Sequence, residues 1–328
     1  MSLLPLTLAC WTYDRVAPLK TGRVRVEGVD LNMIQMPVEE MFFRVFHHHE
    51  FDVVEMSLSS YLTARSKGPW EYEAIPVFLS RMFRHSAIFV RDDRELDQPE
   101  KLRGCRVGVP EYAQTAAMTA RGILQDDFGV SPRDMTWFTG GLEQPGRHEK
   151  FPLDIPGVKI THVTDKSLTQ MLVDGELDAL ISARNPSCFP RNTNVVRLFR
   201  DHVAVEKDYY RRTGVHPIMH TVGVRRSLLE KNPWLAASLT KAFEQARAIC
   251  LAEIDGTGGA AMATLPWMTD HVEETRMLMG DDFWPYGFAR NEKALRTAAR
   301  WSHEQGLTPS PLDPSPLFAK STLNESRI

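Results

Sequence analysis

The sequence predicts an α/β protein of two lobes, one inserted into the other, and three observations carry that prediction. Strand-like and helix-like runs alternate over residues 1–91, a second alternating unit occupies 92–205, and a further strand with long helices follows Thr213. Such alternation implies mostly parallel sheets flanked by helices. The first lobe is therefore read as 1–91 plus 206–328, and the inserted lobe as 92–205.

LTLACW is the first strand, and VEGVDLNMIQM the second, entered through a turn. VEEMFFRVFHHHE has helical spacing, FDVVEMSL returns to strand and SLSSYLTARSK to helix. Residues 75–91, IPVFLSRMFRHSAIFVR, form two apolar strand-like stretches interrupted by Arg81, Arg84 and His85. In the second unit CRVGVPEY is a strand, AQTAAMTARGILQDDFGV a helix ended by Gly129, MTWFTGG and VKITHVT strands, and SLTQMLVDGELDALISAR a helix followed by a strand. PIMHTVGVRR is the returning strand. NPWLAASLTKAFEQARAICLAEI, HVEETRMLMG and NEKALRTAARWSHEQGL are helices, the first with Asn232 as N-cap and Pro233 at its first position. The tail SPLDPSPLFAKSTLNESRI reads as an extended strap.

Composition narrows the classes of function. The chain of 328 residues is 43% hydrophobic and 25% charged, with a net charge of −3. It has no broad basic field, which argues against nucleic acid or an anionic membrane as partner. No apolar run approaches the roughly 18 residues of a membrane span. The first apolar run lacks a preceding basic segment and is interrupted by Tyr13, Asp14 and Arg15, so it reads as a strand and the expected location is cytoplasmic. Cys10, Cys105, Cys188 and Cys250 are far apart and expected to be free thiols, with Cys188 the one nucleophile to consider. His47, His48 and His49 point about 100° apart on a helix and read as a solvated helix end, so no metal is expected.

In a two-lobed α/β protein, ligands meet the ends of strands facing the cleft. The turns at those ends supply Arg15, Arg81, Arg84, Arg184, His85, His216, His220, Glu111, Tyr112, Ser57, Ser60 and Thr115, a set suited to a small anionic or hydroxylated molecule. Residues 110–115 open a helix whose free N–H groups either receive a carboxylate, with Thr115 as an extra donor, or are capped by Gln114 and Thr115. Glu143, Arg147 and His148 form either a polar flap over the cleft or a surface loop. His216 and His220 flank Pro217 in an apolar run, so at least one faces inward, as a core histidine or as a proton donor. Trp267, Trp284, Tyr286 and Phe288 are expected to pack in the core, with a homo-oligomer contact as the alternative.

Taken together, EMSLSSYL, PVFLSRMFRHSAIFV, GVPEYAQTAA, DGELDALISARNPSCF, HPIMHTVGVRR and DDFWPYG resemble 4,5-dihydroxyphthalate decarboxylases over nearly the whole chain. The resemblance implies a type II periplasmic-binding-protein-like fold with a ligand cleft between the lobes. It also implies cofactor-independent loss of one ring carboxylate from an aromatic dicarboxylate, giving 3,4-dihydroxybenzoate and CO2. Each carboxylate of that substrate is para to a hydroxyl, so protonation of the ring carbon gives a keto-like intermediate that loses CO2 to restore aromaticity. Such a site needs a cationic clamp, an acid and an acceptor for the hydroxyl proton. On residue chemistry the clamp is assigned to Arg81 and Arg184, the acid to His85 or His216, and the hydroxyl edge to Glu111 and Tyr112, with Ser57 and Ser60 as lesser donors. The alternatives are a solute receptor without chemistry, a relative acting on another hydroxylated aromatic acid, and a metal-assisted decarboxylase, for which no ligand set is found at convincing spacing.

Overall fold

Short apolar runs separated by turns and helices give two sheets in the computed structural model, which describes residues 2–191, 194–254 and 263–323. The first sheet holds β1 (Leu4–Cys10), β2 (Val29–Gln35), β3 (Val53–Ser57), β4 (Tyr72–Arg81) and a strand that returns late in the chain. Between these strands run α1 (Ala17–Lys20), α2 (Val38–His48) and α3 (Leu58–Ser66). The second sheet holds β5 (Ile88–Arg91), β6 (Arg106–Val109), β7 (Thr136–Thr139), β8 (Lys159–His162), β9 (Ala179–Ile181) and β10 (Val195–Arg197), with α4 (Thr115–Phe128) and α5 (Leu168–Val173) among them. After α6 (His202–Thr213) the chain re-enters the first sheet as β11 (Ile218–Arg225), and α7 (Arg226–Lys231), α8 (Leu235–Glu253), α9 (Met268–Met279) and α10 (Phe288–Glu304) complete it.

Strand order is β2-β1-β3-β11-β4 in one sheet and β10-β5-β9-β6-β7-β8 in the other. Both sheets are mixed, because the strands that carry the chain across run against their neighbours: β11 is antiparallel to β3 and β4, and β5 to β9 and β10. The boundary expected at residue 91 falls too late. Ile88–Arg91 is already hydrogen-bonded in the second sheet, so the outward passage lies between Arg81 and Ile88. The return lies between Arg197 and Ile218 and contains α6.

Two local expectations also change. Asn232 does not cap the helix that follows it, since its side-chain amide donates to the Leu228 carbonyl at 3.1 Å and so closes the helix before. The C-terminal strap lies along the edge of β4, where Ala319 N–H donates to the Ala74 carbonyl at 2.8 Å and Phe318 is buried. Residues 324–328 of that strap lie outside the described residues. Of the C-terminal aromatics, Tyr286 and Phe288 are buried, whereas Trp267 is exposed.

One apolar core reaches through both sheets, from Leu8 and Val54 in the first to Val107 and Ile181 in the second, and a smaller cluster around Phe89 and Leu180 lies under α5. The lobes thus pack on each other behind the cleft, and the cleft opens at the strand ends.

Candidate active site

Strand pairing builds the first part of the site. His220 on β11 stands opposite Ser57 on β3, and Val222 opposite Glu55. Side chains alternate along a strand, so Glu55, Ser57 and His220 share one face. A carboxylate buried in an apolar strand needs donors. Glu55 has three: Nδ1 of His220 at 2.6 Å, the Tyr13 hydroxyl at 2.6 Å and the Trp11 N–H at 2.9 Å. Burial pushes the Glu55 carboxyl up, but hydrogen bonding and charge from His220, with Tyr13 and Trp11, hold it below the usual carboxylate range. With Nδ1 committed to Glu55, the opposite nitrogen of His220 has no protein partner among the described residues.

His220 lines a cavity of about 380 Å³ between the lobes. Its apolar wall includes Trp11, Phe42, Met82 and Met219, and its cations are Arg84, Arg147, Lys150 and Arg184. At its floor the Ser57 and Thr115 hydroxyls meet at 2.8 Å, joining β3 to the start of α4. Gln114, Thr115 and Ala116 bring the N-terminus of α4 to the cavity wall. The side chain of Gln114 does not cap that helix, and its buried amide oxygen has no partner.

Arg84 is the least compensated of the cations. It is buried, yet its donors find only the Met219 and Met82 sulfurs, at 3.1 and 3.2 Å, and the Ala183 carbonyl at 3.5 Å. No carboxylate among the described residues pairs with it, and burial lowers its guanidinium to about 10. Arg147 and Lys150, by contrast, both bind Glu111, with Arg147 Nη2 at 2.6 Å from Oε1. Glu39 on α2 takes Arg147 at 2.9 Å and Arg184 at 3.2 Å. Four cations face the cavity, and Glu39 and Glu111 are the carboxylates paired with them among the described residues.

Of the sequence candidates, Ser57, Arg84, Thr115, Arg184 and His220 line this cavity, and Glu111 lines a polar recess of about 740 Å³ that adjoins it through Glu39, Arg147, Lys150 and Arg184. The other six line neither. Arg15 lies over the Tyr13 and Trp284 rings and donates from Nε to the Leu79 carbonyl at 2.9 Å. Arg81 is turned into the C-terminal region, where its Nη donors are taken by the carbonyls of His216 at 3.1 Å and Pro285 at 2.7 Å and by Asn291. The clamp expected from Arg81 and Arg184 is therefore not formed. His85 is buried between Phe199 and Tyr209 with neither ring nitrogen bonded, and burial lowers it to about 4. His216 stacks on Phe83 and is lowered to about 3, by burial first and then by Arg81. Both rings are neutral near pH 7 and away from the cavity, which removes them as acids. Tyr112 packs on Trp137 beneath the Arg121 guanidinium, and Ser60 bonds back to Ser57 at 3.2 Å.

Glu111 is ion-paired on both oxygens and, although burial raises it, Lys150 and Arg147 hold it below the usual range, so it positions cations rather than accepting protons. Cys188 packs beside Phe89's cluster with its thiol pushed up by burial, contrary to a reactive thiolate. Among the described residues no group of three His, Cys, Asp or Glu side chains could hold a metal ion, and no helix is long and apolar enough to cross a membrane. The sequence candidates did not include Glu39, Glu55 or Lys150. A glutamate inside the apolar run VVEMS was a signal, because such a group must find a partner.

Two lobes of mixed α/β structure around a cavity rich in cations define a protein of the type II periplasmic-binding-protein-like fold. The structure is similar to that of the periplasmic sulfonate-binding protein SsuA from Methylobacillus flagellatus, with a TM-score of 0.58, 13% identity, and coverage of 97% of this chain and 92% of that one. No protein-family model matches the chain. It is 42% identical over 332 residues to the 4,5-dihydroxyphthalate decarboxylase of Comamonas testosteroni, covering 100% of both chains. It is 43% identical over 215 residues to the corresponding Pseudomonas putida protein, covering 64% of this chain and 83% of the relative. The chain belongs to the 4,5-dihydroxyphthalate decarboxylase family.

Proposed function

We propose that the protein decarboxylates 4,5-dihydroxyphthalate to 3,4-dihydroxybenzoate and CO2 in the cavity between its lobes. The observation that carries the reading of the site is Arg84, a buried guanidinium without a carboxylate partner, facing the same cavity as a histidine backed by a buried glutamate. A buried charge left this way is stabilised by an anionic ligand. Four cavity cations set against two carboxylates leave a surplus of two, which matches a dicarboxylate.

In this reading Arg84 holds the carboxylate that stays, the rim cations Arg147 and Arg184 receive the one that leaves, and the aromatic ring lies against the apolar wall. The free nitrogen of His220 delivers a proton to the ring carbon bearing the leaving group, while Glu55 orients the imidazole and balances its charge. The Ser57–Thr115 hydroxyl pair and Gln114 supply the hydroxyl edge. The carbon–carbon bond then breaks, its electron pair returns to the ring, and neutral CO2 departs. One proton is consumed per turnover and is restored to His220 from water.

Purified protein mixed with 4,5-dihydroxyphthalate should release CO2 and develop the ultraviolet spectrum of 3,4-dihydroxybenzoate; absence of both overturns the reading. His220→Asn should lower kcat by ~10²–10⁴-fold, while His216→Asn stays near wild type.

A further inference from the structure

Of the two carboxylates that pair with the cavity cations, one is fixed and the other exchangeable. Glu111 is buried and holds both Arg147 and Lys150. Glu39, on the opposite lobe in the first turn of α2, is the one carboxylate on the cavity wall among the described residues. Its side chain is 41% exposed, and one of its partners, Arg184, is 63% exposed. Ion pairs this open to water contribute little and exchange readily. Arg147 and Arg184 also stand, with the Glu111-bound Lys150, at the boundary between the cavity and the open recess, where a ligand carboxylate would arrive.

We infer that Glu39 is a built-in competitor for the leaving carboxylate of the substrate, so that a bound dicarboxylate is incompletely neutralised at its reacting end and CO2 loss returns Arg147 and Arg184 to Glu39. This rests on the decarboxylase reading. Its physical content is that the negative charge near Glu39 disappears when the carboxylate leaves as neutral CO2, so the repulsion acts on the bound substrate and is relieved along the reaction. The geometry behind it is the sharing of two guanidinium groups by an internal carboxylate that faces the ligand space. Product, with one carboxylate left at Arg84, has no claim on the rim cations, which pair with Glu39.

The test is Glu39→Gln, with Glu39→Asp as the charge-preserving control. Calorimetric titration with phthalate, an unreactive dicarboxylate, should show binding roughly fivefold tighter in Glu39→Gln, with benzoate affinity unchanged and Glu39→Asp close to wild type. With 4,5-dihydroxyphthalate, kcat and KM should fall together in Glu39→Gln, the pattern of lost ground-state strain. Phthalate binding that is unchanged or weaker in Glu39→Gln, or a KM that rises, overturns the inference. If the wild-type protein does not turn over 4,5-dihydroxyphthalate, the activity reading falls on its own, and the phthalate and benzoate titrations still decide whether Glu39 competes with a ligand carboxylate.

Discussion

A buried guanidinium is stabilised by acceptors for its N–H donors, and Arg81 and Arg84, three positions apart, find them in different ways. Arg81 spends its Nη donors on protein, two carbonyls and the Asn291 amide oxygen, and leaves its buried Nε without a partner. Arg84 is satisfied only by sulfur and one long carbonyl contact, so a ligand completes it. Arg84→Met should therefore raise KM by roughly 10–100-fold, the worth of a charge-assisted hydrogen bond of ~1.5–3 kcal/mol, with little loss of stability. Arg81→Met should do the reverse, costing ~2–4 kcal/mol in denaturant unfolding through acceptors left unpaired in the interior, with KM close to wild type. Equal effects of the two on KM would remove Arg84 from the clamp. The sequence brought both arginines and their segment into view, but not which one meets ligand. The partners of Arg81 lie 135, 204 and 210 residues away, and nothing local encodes them. The same holds for His216 and His220, which are distinguished by Phe83, in the connection after β4, and Glu55, on β3, both far away in sequence.

At the scale of elements, α4 joins the lobes and positions the floor of the site. Its first residue, Thr115, bonds to Ser57, and its C-terminus closes on Gly129 at φ 63°, a left-handed conformation that glycine adopts without strain. Midway, Gly122 lies directly against the indole of Trp301 on α10, and one turn later Asp126 accepts from Trp301 Nε1 at 2.8 Å. The helix was legible from its apolar spacing and its terminal glycine. The reason for an interior glycine was not, because Trp301 is far along the chain. Two effects compete in Gly122→Ala: helix propensity favours alanine by ~1 kcal/mol, and overpacking against the indole costs ~1–3 kcal/mol. A rigid tryptophan backed by two lobes has little room to yield, so the variant should melt lower than wild type. A higher melting temperature would mean that the α4–α10 contact is loose. Because α4 also presents Gln114 and Thr115 to the cavity, its displacement should raise KM in the same variant.

For the whole molecule, a core continuous through both sheets predicts that the lobes unfold together, in one transition, despite their two-lobed outline. Its pH dependence follows from groups at the passages between lobes. His85, between β4 and β5, falls from its ordinary 6.5 to about 4, and His216, before β11, from 6.5 to about 3. Below pH 6.5 the unfolded chain binds protons that these folded rings refuse, so each ring's contribution is complete above 6.5 and is lost as pH falls, by up to ~1.4 kcal/mol per pH unit. Glu149 acts with the opposite sign. Burial, with Glu111 beside it, raises its carboxyl from 4.5 to about 7, so the folded chain holds a proton that the unfolded chain releases, and that contribution is lost as pH rises from 4.5 to 7. Two imidazoles against one carboxyl leave a net loss of ~1.4 kcal/mol per pH unit on acidification from 6.5 to 4.5. Denaturant unfolding at pH 7.5 and 5.0 should show a single transition at both, with the protein less stable by ~1.5 kcal/mol at the lower pH. His85→Phe should flatten that dependence and Glu149→Gln steepen it. Two separate transitions would show that the lobes fold independently, and a stability that rises on acidification would show that the crossover histidines take up protons in the folded state.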